Sequence, residues 1–298
     1  MTVLHTGVVD ASPPPGGVQR APIQIGFSQV LLALAGVLGW ILVYLLVLSG
    51  LEQGHAQSSL YEELRTQLAE GTAPTGAPIA AGAPVAVLSI PDAGVEDAVV
   101  VEGARSVQLQ DGPGHVLGSV LPGQRGVSVI AGRSLSFGAP FGQVSALPVG
   151  ARITVTTAQG TFTYRVSGAR LKGDPVPTPP GEGEGRLTLV TAIRGAGLGG
   201  LQAGETVYVD AELSGEAADP GPVATADLGP RLMSTSVDTT TLALLALGLQ
   251  LLVGSLAGLA WAWNRWSRAA AWIAGGPCVL AALWLVSSLG SRLLPALV

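Results

Sequence analysis

Three stretches of the chain are apolar and free of charge. Residues 30–48, 242–263 and 269–289 contain no Asp, Glu, Lys or Arg. A helix needs about 20 residues to cross a bilayer core, so each run predicts a membrane-spanning helix. The first run exceeds the roughly 7–15 apolar residues of a signal peptide, and no small-residue cleavage site follows directly, so it reads as an uncleaved anchor. The third is interrupted by Gly275-Gly276-Pro277. Past the first run, Leu60, Leu64 and Leu68 recur every four residues, which predicts an amphipathic helix. Between residues 85 and 213 the period drops to two, as in Arg152-Ile153-Thr154-Val155-Thr156 and Thr161-Phe162-Thr163-Tyr164-Arg165-Val166, with Ala158-Gln159-Gly160 as the turn between them. Strands are predicted over 85–90, 98–101, 127–131, 153–157, 161–166, 187–191 and 206–213, with short helical turns at 106–110 and 141–147. Many short strands at regular spacing predict an all-β barrel or sandwich.

The chain thus divides into a tail (1–27), a membrane helix (28–50), a juxtamembrane amphipathic helix (51–70), a Pro/Gly/Ala linker (71–84), a β domain (85–213), a second linker (214–239), two membrane helices (240–263 and 269–290) joined by a loop (264–268), and a tail (291–298). Composition supports this: 12% of residues are charged, against about 25% in a soluble domain. Arg265 and Arg268 flank the turn between the last two spans, and positive charge marks the cytoplasmic side. Residues 51–239 hold 19 of the 20 acidic side chains but only 11 of the 15 basic ones. The expected arrangement is therefore a multi-pass plasma-membrane protein with cytoplasmic residues 1–27 and 264–268, and with the β domain and residues 291–298 outside. An acidic domain of this kind argues against nucleic acid as a partner. The Gly275-Gly276 pair offers a surface for a membrane-helix partner. A single cysteine, Cys278, excludes an internal disulfide or a site of several thiolates. With three scattered histidines (His5, His55, His115), no metal and no cofactor are expected.

The β block resembles the sortase family, in particular the housekeeping-type and related actinobacterial classes. Several segments carry the resemblance in order: Val87-Leu88-Ser89-Ile90-Pro91, the opening strand; Leu109-Gln110-Asp111-Gly112-Pro113-Gly114-His115; Leu121-Pro122-Gly123-Gln124-Arg125-Gly126; Val129-Ile130-Ala131-Gly132 followed by Phe137 to Leu147; Thr161–Val166; and Leu187-Thr188-Leu189-Val190-Thr191. The resemblance implies an eight-stranded β-barrel and a bacterial cysteine transpeptidase acting on cell-surface proteins at the cell wall. In such an enzyme a thiolate attacks a sorting-signal carbonyl, a His protonates the leaving amine and an Arg stabilises the oxyanion.

All three family positions are substituted. Arg133 stands where the resemblance implies the His, Ala192 where it implies the Cys, and Thr206 opens the strand where it implies the Arg. Arg194 lies in the following loop. Among possible substitutes, Ser128, Ser134 and Thr191 lack a positioned base, Lys172 reads as a solvated loop charge, and Cys278 sits within a membrane span. His115 reads as a turn histidine, with a place in the groove as the alternative. Arg133 reads either as a strand-end charge reaching solvent or, with Arg194, as a carboxylate- or anion-binding pair, flanked by Glu182 and Glu184 of the loop 181–185. The expected function is a membrane-anchored pseudo-sortase that binds a cell-envelope or secreted protein, or its sorting peptide, without cleaving it. The alternative is an active transpeptidase or hydrolase with unconventional residues.

Overall fold

The computed structural model describes residues 27–193, 205–224, 239–292 and 297. Eight strands close into a barrel: β1 (Pro84–Ile90), β2 (Val95–Glu102), β3 (Gly114–His115), β4 (Gly126–Ala131), β5 (Arg152–Thr157), β6 (Gly160–Leu171), β7 (Gly185–Ala192) and β8 (Thr206–Ser214). Their order around the barrel is β1-β2-β3-β4-β7-β8-β6-β5. Antiparallel pairing of β1 with β5, Leu88 opposite Val155, completes the closure, so neither end strand is left as a bare edge. Two neighbours are parallel, β2 with β3 and β4 with β7.

Alternation along the strands sends one set of side chains inward. Leu88, Ile90, Ile153, Val155, Tyr164, Val166, Leu187, Leu189, Val207 and Val209 form the barrel core. Tyr164 brings a hydroxyl into it, and that oxygen accepts the Gly123 N–H at 2.6 Å. Burial pushes the phenol up to about 12.

Each predicted strand is present, and β2, β6 and β7 are longer than the alternation suggested. β6 runs on from Val166 to Leu171 because a register shift between Val166 and Gly168 lets it keep pairing with β8. β3 has two residues, too few to show a period. The turn predicted at 106–110 overlaps the short helix α3 (Gln108–Asp111), and that at 141–147 contracts to a single 3₁₀ turn, Val144–Ala146.

The chain separates into two compact units, residues 1–39 and 40–298. Helix α1 (Phe27–Val43) covers most of the first apolar run and leads through a π turn (Tyr44–Leu48) into α2 (Ser49–Glu70). On α2, Leu64 is buried and Leu60 and Leu68 half-buried, as the four-residue spacing requires. Helices α4 (Thr239–Arg265) and α5 (Arg268–Ser291) are long and apolar enough to cross a membrane. Ser267 caps α5 by accepting the Ala270 N–H at 3.3 Å. Helix α5 continues through Gly275-Gly276-Pro277, as membrane helices often do when neighbours resupply contacts. A side chain at Gly275 would collide with Leu259 of α4, so this glycine serves the close approach of the two helices.

The two stretches read as linkers are pinned together. The Ala77 N–H donates to the Pro222 carbonyl at 2.7 Å, and Gly76 lies against Gly221 and Pro222 with no space for a side chain.

Candidate functional site

Parallel pairing of β4 with β7 sets Ala131 beside Val190. Two residues further, Arg133 leaves β4 at the same end of the barrel where Ala192 ends β7. Antiparallel pairing of β7 with β8 sets Ala192 opposite Thr206. The fold thus gathers Arg133, Ala192 and Thr206, far apart in sequence, at one end of three adjacent strands, and all three are buried. The Ala192 methyl belongs to an apolar cluster with Ala104, Leu109, Val116, Ala131, Val190 and Leu297.

Arg133 corrects an expectation. Its charge does not reach solvent: it is the largest fully buried side chain among the described residues. The guanidinium Nε donates to the Leu109 carbonyl (3.1 Å), Nη1 to Ser136 Oγ (3.2 Å), and Nη2 to both the carbonyl (3.0 Å) and Oγ (2.9 Å) of Ser106. The Phe137 ring stacks on it with its centroid 4.9 Å from Cζ. Burial pulls the guanidinium down to about 10. A fork whose donors already serve these oxygens is a tie between the β4 end, α3 and the loop 134–137.

The loop that follows is held in an unusual conformation. Phe137, Gly138 and Ala139 are successively left-handed, with φ of 51°, 71° and 47°, and non-glycine residues in this region store about 1–3 kcal/mol each. The hold comes partly from α2: Ser49 Oγ accepts the Phe137 N–H at 3.0 Å. Before the loop, Gly132 lies under the Phe141 ring, which fills the place a side chain would take. Juxtamembrane helix and barrel end are therefore one packed assembly.

The remaining sequence candidates are dispersed. His115 lies on β3, enclosed by partners that do not belong to the Ala192 cluster. Its Nδ1 lies 2.8 Å from Glu102 Oε2, and its Nε2 lies 3.0 Å from the Val120 carbonyl and 2.9 Å from Ser119 Oγ. The order Ser119–His115–Glu102 has the connectivity of a hydrolase triad. The Ser119 hydroxyl, however, donates to the Val116 carbonyl (2.8 Å) and accepts the Val129 N–H (3.1 Å), so its proton and a lone pair are committed to the turn. Thr191 Oγ1 donates to the Gly132 carbonyl at 3.1 Å. Ser128 is buried within β4, Lys172 is exposed, and Cys278 is on α5. Arg194 lies outside the described residues. The expectation that Glu182 and Glu184 flank the groove is also corrected. Gly185 opens β7 beside Gly126, at the end opposite Ala192, and a strand of this length separates its ends by roughly 20 Å. Among the described residues no three His, Cys, Asp or Glu side chains are grouped to hold a metal.

Sequence reasoning missed Leu297. The sequence assigns it to a short external tail, yet its side chain is fully buried in the Ala192 cluster. Its carbonyl accepts the Ser134 N–H (3.1 Å) and Ser134 Oγ–H (3.2 Å). The one available signal was composition: Leu293, Leu294 and Leu297 are apolar for a segment assigned to water.

Residues 88–194 match the family model of the sortase domain, a span that includes Arg133 and Ala192 and stops short of Thr206. Among solved structures, the chain is similar to the sortase D5 transpeptidase of Clostridium perfringens, at 23% identity over 54% of this chain and 99% of that one, TM-score 0.43. It is similar to the SrtA sortase of Actinomyces oris, at 23% identity over 49% and 87%, TM-score 0.41. It is also similar to sortase E of Streptomyces avermitilis, at 24% identity over 48% and 93%, TM-score 0.37. No curated protein is significantly similar in sequence.

Proposed function

Because the barrel belongs to the sortase family, we propose that this chain is a membrane-anchored binding or assembly protein in which that fold no longer performs transpeptidation. The observation that carries the reading is Ala192. Its buried methyl occupies the position where the family resemblance implies a cysteine, and a methyl has no lone pair with which to attack a carbonyl. The neighbouring positions support it. Arg133 is committed to the oxygens of Ser106, Leu109 and Ser136, and Thr206 offers no positive charge to a developing oxyanion. The hydroxyls of Ser119 and Thr191 are engaged with backbone carbonyls. On this reading the barrel stands outside a bacterial plasma membrane, held by α1, α4 and α5, and binds a cell-envelope protein or its sorting peptide.

The test uses the full chain in nanodiscs with a fluorogenic sorting-signal peptide and an amine acceptor. No cleavage or transfer above the protein-free rate is expected. Turnover would overturn the reading in favour of an enzyme with unconventional residues. Photo-crosslinking of the same protein to envelope fractions and to the peptide is expected to give a discrete adduct, and its absence from both would sink the binding role.

A further inference from the structure

The cleft at Ala192 is not a bare remnant. Three alanines, Ala104, Ala131 and Ala192, with Val116, Val190 and Leu109, line an apolar hollow in which Leu297 is fully buried. Ser134 directs both its N–H and its hydroxyl at the Leu297 carbonyl, at 3.1 and 3.2 Å. Two donors on one backbone carbonyl beside an apolar hollow are the two parts a peptide site needs: a hydrogen bond that sets backbone register, and a pocket that selects the side chain.

The end of α5 is fastened close to the same place. Gln110 of α3 donates to Ser291 Oγ at 3.2 Å, and the preceding residue of α3, Leu109, lines the hollow and accepts from Arg133. Trp40 Nε1 donates to Ser287 Oγ at 2.9 Å, and the Tyr44 ring meets Trp284 edge to face at 6.2 Å. The last two turns of α5 are thus fastened to both the helix entering the barrel and the barrel's short α3. Leu297 lies only six residues beyond Ser291.

We propose that Leu297 is the resident occupant of the hollow over Ala192, its carbonyl held by Ser134, so that the chain closes this cleft with its own residue and an external peptide reaches it only by displacing Leu297. This deepens the binding role proposed above and rests on it in one respect: an external peptide entering this hollow competes with Leu297. The alanine at 192 then has a positive use, since a larger side chain there would take volume from the leucine.

The test uses the full chain in nanodiscs with Cys278→Ala, so that introduced thiols are the only ones. In Ala192→Cys/Leu297→Cys, mild oxidation is expected to remove both thiols from alkylation within a monomer, reversibly with reductant. A disulfide-linked dimer would overturn the proposal by making the occupant a second copy, and two freely alkylated thiols would overturn it outright. In a second measurement, the thiol of Ala192→Cys is expected to react with a small maleimide at least about tenfold faster when combined with Leu297→Gly. Protection should return with Leu297→Met, which refills the hollow. Equal rates in all three would also overturn the proposal. Sorting-peptide crosslinking on the same samples reports separately on the binding role: the hollow can prove self-occupied while no external peptide binds, or the reverse.

Discussion

Gln57 pairs with the backbone of Val99 as a neighbouring strand would. Its Oε1 accepts the Val99 N–H at 2.7 Å, and its Nε2 donates to the Val99 carbonyl at 3.0 Å and to the Asp111 carbonyl at 2.7 Å. One side chain of the juxtamembrane helix thereby satisfies three backbone groups of the barrel. Gln57→Leu leaves all three without a partner, at a cost of about 1–3 kcal/mol for each group that water does not reach. A lowered unfolding midpoint and early proteolytic release of α2 are the expected readouts. Gln57→Glu should fare no better, since it brings a carboxylate against two carbonyls.

Arg133 should behave as a structural residue. Arg133→Met keeps much of the volume but strands the oxygens of Leu109 and Ser106, and a loss of about 2–4 kcal/mol in denaturant unfolding is expected. Arg133→Lys should recover only part of it, because one ammonium cannot reach oxygens spread around a planar fork. If Arg133 served only an external anion, both variants would unfold like the wild type.

Gly132 and Phe141 should be coupled. With the Phe141 ring in the place of a side chain, Gly132→Ala is expected to cost about 1–3 kcal/mol through overpacking. Phe141→Leu in the same chain should relieve part of that cost. A double-mutant cycle checks this: strictly additive losses would show that the two positions do not touch.

His115 and Glu102 form a buried pair at 2.8 Å, both almost fully enclosed. His115→Ala leaves the Glu102 carboxylate without its nearest partner, and a loss of about 3–5 kcal/mol is expected. Adding Glu102→Gln should recover a large part. Thermal unfolding of the three variants decides it, and the pair should leave the reactivity of a thiol introduced at Ala192 unchanged.

Asp111 gives a pH signature. Burial holds its carboxyl above the usual range, with Arg292 pulling the other way. A raised carboxylate pKa means the folded state binds more protons than the unfolded one across the interval between the two values. The resulting cost to stability is present above that interval and disappears below the ordinary carboxylate range. Asp111→Asn should therefore stabilise the protein near neutral pH, by a margin that shrinks on acidification. A margin that grew towards acid would contradict this sign.

Much of the fold was legible because the barrel strands obey a strong local rule. Alternation in Arg152–Thr157 and Gly160–Val166, broken by glycine-bearing turns, is written into neighbouring residues and needs no partner to be read. β3 escaped because two residues have no period, and the last third of β6 escaped because the register shift after Val166 is set by pairing with β8. The site was legible as positions and not as environment. Arg133 and Ala192 could be picked out by their place in ordered motifs. The burial of Arg133, however, depends on Ser106 and Leu109, more than twenty residues upstream, and on a left-handed loop braced by Ser49.

The amino-acid sequence alone determined which segments seek lipid, which alternate as strands, and that residue 192 carries a methyl. These follow from side-chain chemistry and short-range periodicity, both local. Only the tertiary structure decided what surrounds that methyl. Parallel pairing of β4 with β7 brought Arg133 to it, and the end of α5 brought Leu297, from more than a hundred residues away. Which long-range contacts form depends on the shape and hydrogen-bonding capacity of the packed whole. An arginine that looked solvated thus became a buried tie, and a tail that looked exposed became the filling of the cleft.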